Sequence, residues 1–285
     1  MKDYVALTKP RITWLILMST GVGYFFGAQK GAPGWHLLTL LHTIIGTGLI
    51  ASGTAALNQW YERVADGKMR RTQARPLPSG RLAAGRALAF AMAISVAGFL
   101  ELWFGANPLS AILGLFTLLT YLFVYTPLKQ RSPHSTTIGS IPGAMPPLIG
   151  FAAASGTLTW EAWVLFAILF LWQFPHFYAI AWMYKEDYAR AGIRMLPVVE
   201  PDGKSTARRI LLYSIALIPI SLMPKFFAMA GNVYLYGALA LGLVFVYYGL
   251  RIRTDRTRQQ ARRVLLASVA YLPLLFTLML FDRPQ

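Results

Sequence analysis

Nine continuous apolar runs dominate the chain, and each is long enough to cross the hydrocarbon layer of a membrane as a helix, which takes about 20 residues. Their apolar positions do not alternate with polar ones, which disfavours the strands of a membrane barrel. No small-residue cleavage pattern follows the first run, so we expect a retained helix rather than a signal peptide. The predicted spans are residues 12–28, 37–57, 83–104, 108–126, 136–154, 160–183, 208–224, 227–249 and 264–281.

The basic residues between these runs are strongly asymmetric. With the N-terminus and every second loop on one side of the membrane, that side holds 24 of the 27 Lys and Arg residues. The positive-inside rule makes this side cytoplasmic. One helix more or fewer would scramble the asymmetry, so the charge count also supports nine helices.

Composition narrows the class of protein. Of 285 residues, 56% are hydrophobic and 13% charged, whereas soluble domains carry about 25% charged residues. The net charge of +16 is concentrated in loops, and no nucleic-acid partner is expected. Cysteine is absent, which excludes disulfides, zinc–thiolate sites, thiol nucleophiles and iron–sulfur clusters. The prediction is an all-α polytopic membrane protein, a single domain over 1–285 in contact with the lipid bilayer.

Two long cytoplasmic loops contain most of the acidic residues, and they follow the second and the sixth predicted helix. This placement predicts two four-helix pseudo-repeats, at about 10–130 and 135–250, with the helix at 264–281 outside them. Membrane proteins built from repeats commonly place their site between the two halves. We therefore expect a central cavity that opens to the cytoplasm.

The first of these loops begins with Asn58, Glu62 and Asp66, which are spaced by four residues. If the second helix continues through them, they form one oxygen-bearing stripe about 12 Å long. Mg²⁺ is typically bound by one or two carboxylates together with substrate phosphate oxygens. Cations then follow at Lys68, Arg70, Arg71 and Arg75. Metal-binding acids beside such cations suit a diphosphate; the alternative is a solvated loop whose charges pair with one another and with lipid headgroups.

The second loop offers Glu186 and Asp187 at the end of the sixth helix. Adjacent carboxylates cannot share one helix face, so we expect Asp187 to face a metal and keep Glu186 as the alternative ligand. The flanking Lys185 and Arg190 are candidate diphosphate ligands. So is Lys129, which alternatively extends to lipid headgroups.

His176 follows Pro175 inside the sixth run, about 15 Å deeper than these acids. A histidine within a membrane helix usually faces the bundle interior. Its candidate roles are a haem ligand, a proton carrier or a hydrogen-bond partner of a substrate; the alternative is an interhelical hydrogen bond beside a proline. The six Arg residues between 250 and 263 are interpreted as membrane-surface anchors.

These motifs resemble the UbiA-type intramembrane prenyltransferase superfamily, whose N-x-x-x-[DE]-x-x-x-D pattern Asn58, Glu62 and Asp66 match. Within it, the chain is similar to the haem O synthase branch. The strings that carry this similarity are TKPRI at 8–12, NQWYERVADGKMRRTQARPLPSG at 58–80, YTPLK at 125–129, GAMPPLIG at 143–150, WQFPHF at 172–177 and EDYARAGIRMLPVV at 186–199. The chain departs from the superfamily at Tyr184 and Tyr188, where a second pair of aspartates is usual.

The resemblance implies that farnesyl diphosphate, protohaem IX (haem B) and water give haem O and diphosphate, with Mg²⁺ on the diphosphate and haem as a substrate rather than a cofactor. It further implies the cytoplasmic membrane of a bacterium and a haem A synthase that accepts the product. Catalytic, metal-facing positions would be Asn58, Glu62, Asp66 and Asp187, and haem-facing positions His176 and Tyr125.

Three alternatives compete with this hypothesis. A prenyltransferase of the same fold could act on a quinone or chlorophyll precursor. A CDP-alcohol phosphotransferase also places aspartates at a membrane surface, but its later G-x-x-x-D-x-x-x-D pattern is missing here. A transporter would require ionisable residues near the membrane midplane, whereas these charges lie almost entirely at one face.

Overall fold

The computed structural model describes residues 1–28 and 36–283, and within these ranges every regular element is helical. The elements are α1 (Lys2–Leu7), α2 (Pro10–Ala28), α3 (Leu37–Tyr61), α4 (Arg63–Gly67), α5 (Ala84–Gly105), α6 (Pro108–Leu119), a π-helical turn (Thr120–Tyr125), α7 (Thr126–Arg131), α8 (Ser135–Gly143), α9 (Pro146–Ser155), α10 (Trp160–Met183), α11 (Lys185–Arg190), α12 (Leu196–Val199), α13 (Lys204–Phe226), α14 (Asn232–Thr254) and α15 (Arg258–Phe281).

The predicted all-helical membrane architecture is confirmed. Among the described residues, eight helical rods are long and apolar enough to span a membrane, and α2 adds a rod of 19 residues at the first predicted span. Each predicted run overlaps one rod. The run at 227–249 was placed too early, because the chain turns before α14 and Ala228 takes a left-handed conformation with φ 54°.

The middle of the bundle is formed by the rods that bury most of their surface. In the span Ser135–Ser155, 72% of the apolar window is buried, and in Trp160–Met183 61%, against 28% for the spans at Ala84–Gly105 and Asn232–Thr254. The first two therefore form the centre, and the last two face lipid. Helix α15 packs on α10 and α14, which places the predicted additional helix beside the second half of the bundle.

Helix α2 joins the centre by close backbone contact with α9. A Cβ atom built on Gly150 would lie 1.9 Å from the carbonyl oxygen of Thr20, and one built on Gly23 would lie 2.0 Å from the carbonyl oxygen of Pro147. Small residues at such contacts allow membrane helices to approach closely, where van der Waals packing drives association. Helix α2 is thereby held against the centre of the bundle.

One structural feature occurs in both predicted halves. Helix α3 is followed at once by the short α4, with Glu62 at the junction, and α10 is followed by the short α11, with Tyr184 at the junction. The stretch after each junction contains the charged residues discussed below. We call this end of the bundle, where residues 62–82, 184–203 and 255–258 lie, the charged end.

Candidate active site

The end of α3 presents three oxygen-bearing side chains on one buried stripe. Backbone hydrogen bonds continue across the junction, from the Glu62 N–H to the Asn58 carbonyl at 2.9 Å and from the Asp66 N–H to the Glu62 carbonyl at 2.8 Å. The helical register therefore survives the break at Glu62. Asn58, Glu62 and Asp66 are 2%, 8% and 1% exposed, so their oxygens lie inside the protein rather than in a solvated loop.

Each member of this stripe has a specific partner. Lys129 Nζ lies 2.9 Å from Glu62 Oε1, and Arg75 Nη1 lies 2.7 Å from Asp66 Oδ2. The Asn58 amide nitrogen donates to the Thr126 hydroxyl at 3.2 Å. Burial of a charge is tolerated when a partner of opposite charge compensates it. The alternative in which Lys129 extends to lipid headgroups is wrong, because its ammonium group turns inward to Glu62.

The π-helical turn before α7 arranges aromatic rings around Lys129. The ammonium group lies 4.5 Å from the ring centre of Tyr125 and 5.9 Å from that of Tyr121. The two rings pack edge to face, with centroids 4.9 Å apart. Tyrosine faces attract cations, so these rings help to hold Lys129 within reach of the stripe. Tyr125 is thus part of the same chamber as Glu62.

Lys9 also belongs to this site, and sequence reasoning missed it. It connects α1 to α2 with a left-handed φ of 48°, a strained value for a side-chain-bearing residue. Burial lowers the pKa of Lys9 to about 8, assisted by the positive charges of Arg75 and Lys129 and opposed by Glu62 and Asp66. In the sequence, Lys9 belongs to the TKPRI string at 8–12. That string supported the family resemblance but did not point to Lys9 as a site residue.

The two charged loops meet although 117 residues separate their contacting members. The Arg70 N–H donates to Asp187 Oδ1 at 3.1 Å, and the Arg71 guanidinium donates to the Tyr188 hydroxyl at 2.9 Å. Arg71 also lies over the rings of Tyr184 and Tyr188, 5.1 Å and 4.9 Å from their centres. The loops therefore form one continuous surface at the charged end.

Comparison with known proteins agrees with this architecture. The model of the UbiA prenyltransferase family matches residues 16–276. The chain belongs to this family. A protoheme IX farnesyltransferase of Solibacter usitatus is 69% identical, with 100% of this chain and 99% of the relative aligned. A protoheme IX farnesyltransferase of Koribacter versatilis is 48% identical, over 99% of this chain and 94% of the relative.

Solved structures show the same fold at low sequence identity. A structure reported for digeranylgeranylglyceryl phosphate synthase superposes with a TM-score of 0.80 at 16% identity, covering 99% of this chain and 97% of the other. A UbiA homologue from Archaeoglobus fulgidus bound to DMAPP and Mg²⁺ gives a TM-score of 0.68 at 16% identity, covering 97% and 99%. The predicted fold and family resemblance are confirmed, and the protein is a prenyltransferase of this family; the phosphotransferase and transporter alternatives are set aside.

The predicted metal ligands divide into two groups. Asn58, Glu62 and Asp66 share one stripe, and one amide plus two carboxylates fits Mg²⁺ that is also held by diphosphate oxygens. Asp187 instead pairs with Arg190 and accepts from the Arg70 N–H. Within residues 1–28 and 36–283, no three His, Asp or Glu side chains lie close enough together to hold a metal.

In the ligand-free protein, Asp187 is therefore an ionised carboxylate that pairs with cations. Burial opposes its ionisation, but the Arg70 N–H and the Arg190 guanidinium outweigh that effect and lower the pKa of the carboxyl. Tyr184, at the junction equivalent to Glu62, and Tyr188, four residues later, surround Arg71. A guanidinium held by two tyrosines therefore lies where the first half of the chain has its two carboxylates.

The remaining candidate cations differ in placement. Lys68 and Glu186 are exposed. Lys185 packs on the Trp182 ring, 4.3 Å from its centre. Arg256 and Arg258 line a cavity at the charged end beside Arg70 and Asp187, so their interpretation as membrane-surface anchors is incomplete.

His176 makes the interhelical contact that was its structural alternative. Its Nδ1 lies 2.8 Å from the Ser268 hydroxyl of α15, and its ring stacks on Trp172 with centroids 4.8 Å apart. The Trp172 indole N–H donates to the Ser268 carbonyl at 2.8 Å. The ring is therefore fixed in orientation by α15. A role of His176 toward haem stays a prediction.

Proposed function

We propose that this protein transfers the farnesyl group of farnesyl diphosphate to a vinyl group of haem B, with addition of water, to give haem O and diphosphate. The observation that carries the proposal is a buried Asn–carboxylate–carboxylate stripe whose acids are each paired with a cation, Glu62 with Lys129 and Asp66 with Arg75. The protoheme IX farnesyltransferases that align over the whole chain support the identity of the acceptor.

The stripe would hold the diphosphate through Mg²⁺, which supplies electrophilic stabilisation of the leaving oxygens when bound. Opening of the Glu62–Lys129 and Asp66–Arg75 pairs frees both carboxylates for this role. The released Lys129 and Arg75 then bind phosphate oxygens by charge-assisted hydrogen bonds. The same four side chains thus exchange partners, and no uncompensated charge is left buried.

The reaction requires the allylic C–O bond of farnesyl diphosphate to break, and its electron pair leaves with the diphosphate. Lys129, Arg75 and Lys9 stabilise the charge that develops on this leaving group. The terminal vinyl carbon of the haem attacks the farnesyl cation, and water adds to the resulting haem-side cation and releases a proton. Tyr121 and Tyr125 present ring faces that stabilise a cation in this chamber and exclude bulk water.

The assay uses the full chain in lipid nanodiscs with Mg²⁺, farnesyl diphosphate and either haem B or a hydroxybenzoate. Formation of haem O, identified by mass spectrometry, is the expected result. Prenylation of the hydroxybenzoate without haem O would overturn the proposal in favour of a quinone-precursor enzyme. Asp66→Asn serves as the inactive control.

We further infer that the charged end faces the cytoplasm of a bacterial inner membrane, because the predicted side of the membrane to which it belongs holds 24 of the 27 Lys and Arg residues. Gln73 and Asn232 are exposed at opposite ends of the spans. In a chain without cysteine, Gln73→Cys should react with a membrane-impermeant thiol reagent from the cytoplasmic side and Asn232→Cys from the opposite side. Reversed labelling would contradict this orientation. Haem O requires an enzyme that consumes it, and a haem A synthase is the partner we propose.

A further inference from the structure

A cavity of about 490 Å³ opens at the charged end, outside the stripe of Asn58, Glu62 and Asp66. Three separate segments of the chain line it, at 70–71, 182–190 and 256–258, and we call it the basic pocket. Its cations are Arg70, Arg71, Lys185, Arg190, Arg256 and Arg258. Glu186 and Asp187 are its carboxylates, so six cations against two carboxylates leave a formal charge of +4. A concave site with this excess attracts an anion of more than one charge.

The walls of the pocket are fixed by packing. The Trp182 indole N–H donates to the Arg256 carbonyl at 3.0 Å, which ties the end of α10 to the loop before α15. Gly203, with φ +70°, lies under the same ring, where a Cβ atom would come within 2.3 Å of it. Lys185 covers the ring, 4.3 Å from its centre. The 255–257 loop therefore has a defined position relative to α10.

The guanidinium groups share a second aromatic support. Arg258 lies 5.9 Å and Arg71 lies 5.1 Å from the ring centre of Tyr184. Asp187 already pairs with Arg190. Among the ion pairs of the described residues, none includes Arg256 or Arg258. The Arg256 guanidinium donates to the Arg253 carbonyl at 3.3 Å, and neither charge is neutralised by one of these ion pairs. Both charges can therefore attract an anion from outside, whereas Lys129 and Arg75 belong to the stripe.

The apolar residues beside these cations favour an anion that also has an apolar part. Trp182, Met183 and Tyr184, at the end of α10, give the pocket an apolar wall. A flat amphiphile with a carboxylate edge at the pocket would rest its apolar part against this wall. Haem has such a shape, with two propionates on one edge and the vinyl groups away from them.

We propose that the basic pocket binds the propionate carboxylates of the haem acceptor, and that Arg256 and Arg258 are specificity-determining residues for it. This inference rests on the proposed function. Guanidinium forks match carboxylates in a bidentate geometry. Anchoring the propionates at the surface directs the vinyl-bearing part of the ring inward, toward the chamber in which the farnesyl cation forms.

The test compares Arg256→Gln/Arg258→Gln with the matched control Arg251→Gln/Arg253→Gln, which removes two exposed arginines of the same segment that do not line the pocket. Haem affinity is measured from the Soret absorption without farnesyl diphosphate, and KM for haem from turnover. We expect the pocket variant to bind haem at least tenfold more weakly and to show a KM for haem at least tenfold higher, with unchanged affinity for farnesyl diphosphate. The control should stay within twofold of the wild type in each quantity. Unchanged diphosphate affinity also shows that the variant is folded.

The dimethyl ester of haem tests whether the propionate charges account for binding at the pocket. It lacks the carboxylate charges, so the pocket variant and the wild type should bind it equally. An equal loss of haem and ester affinity would overturn the inference, as would a loss of farnesyl diphosphate affinity. If the pocket variant also loses haem affinity in nanodiscs of zwitterionic lipid, the result supports a propionate site. If the loss occurs only in anionic lipid, the pocket binds lipid headgroups instead. If wild-type protein forms no haem O, the proposed function fails; if it does but the variant equals the wild type, this inference alone fails.

Discussion

The substitution Lys129→Met removes the cation that neutralises Glu62 while it keeps a side chain of similar length. The ammonium group lies 2.9 Å from the carboxylate, and the two side chains are 11% and 10% exposed. At this distance and an effective dielectric constant of about 20, the direct attraction is roughly 6 kcal/mol. Desolvation offsets part of that attraction, and removal of one partner from a buried pair costs about 3–5 kcal/mol because the other charge is left uncompensated.

We therefore expect Lys129→Met to lower the free energy of unfolding of the ligand-free protein by about 3–5 kcal/mol. The double variant Glu62→Gln/Lys129→Met removes both charges and should fall within about 1 kcal/mol of the wild type. Arg131→Met changes an exposed cation two residues later in the same helix and should shift stability by no more than about 0.5 kcal/mol. The measurement is reversible unfolding in mixed detergent micelles, followed by far-ultraviolet circular dichroism.

A second readout tests the partner exchange between Lys129 and the diphosphate. Because the leaving group would lose one cation, the affinity of Lys129→Met for farnesyl diphosphate should fall at least about tenfold, as for a lost charge-assisted hydrogen bond. The reasoning is refuted if Lys129→Met destabilises the protein no more than Arg131→Met, or if the double variant is as unstable as the single one.

Three further predictions concern other parts of the site and fold. Asp66→Asn should reduce kcat at least about 100-fold in protein that is still folded, because a developing charge loses its stabilisation. It should also lower the thermal stability, because Arg75 loses its buried partner. Near-normal turnover at saturating Mg²⁺ would contradict the catalytic role. His176→Ala should raise KM for haem and spare farnesyl diphosphate affinity, with Ser268→Ala as the control for the loss of the interhelical bond alone. Burial lowers the pKa of Lys9 to about 8 from 10.5, so the folded protein loses this proton at a lower pH than the unfolded chain does. The free energy of unfolding of the wild type should therefore rise between pH 8 and 10.5 relative to that of Lys9→Met. Parallel curves of stability against pH for the two proteins would refute it.

Local sequence was sufficient for the helical rods and for the stripe at the end of α3. Membrane spans are set by the length of apolar runs, which a linear pattern contains in full. The spacing of Asn58, Glu62 and Asp66 translates directly into one helix face, because the register is a property of consecutive residues. The family resemblance rested on the same kind of local string, and the comparisons bear it out.

Tertiary structure alone decided which charges meet. Lys129 reaches Glu62 across 67 residues, and Arg70 reaches Asp187 across 117. Lys9 enters the site because α2 packs on α9, and Arg256 enters the basic pocket because its carbonyl accepts from Trp182. In the sequence, Lys9 and Arg256 look like ordinary flanking cations at a membrane boundary. Their partners are fixed by helix packing between distant segments, and the free energy of a buried pair depends on a burial and a distance that the spacing of residues along the chain does not contain.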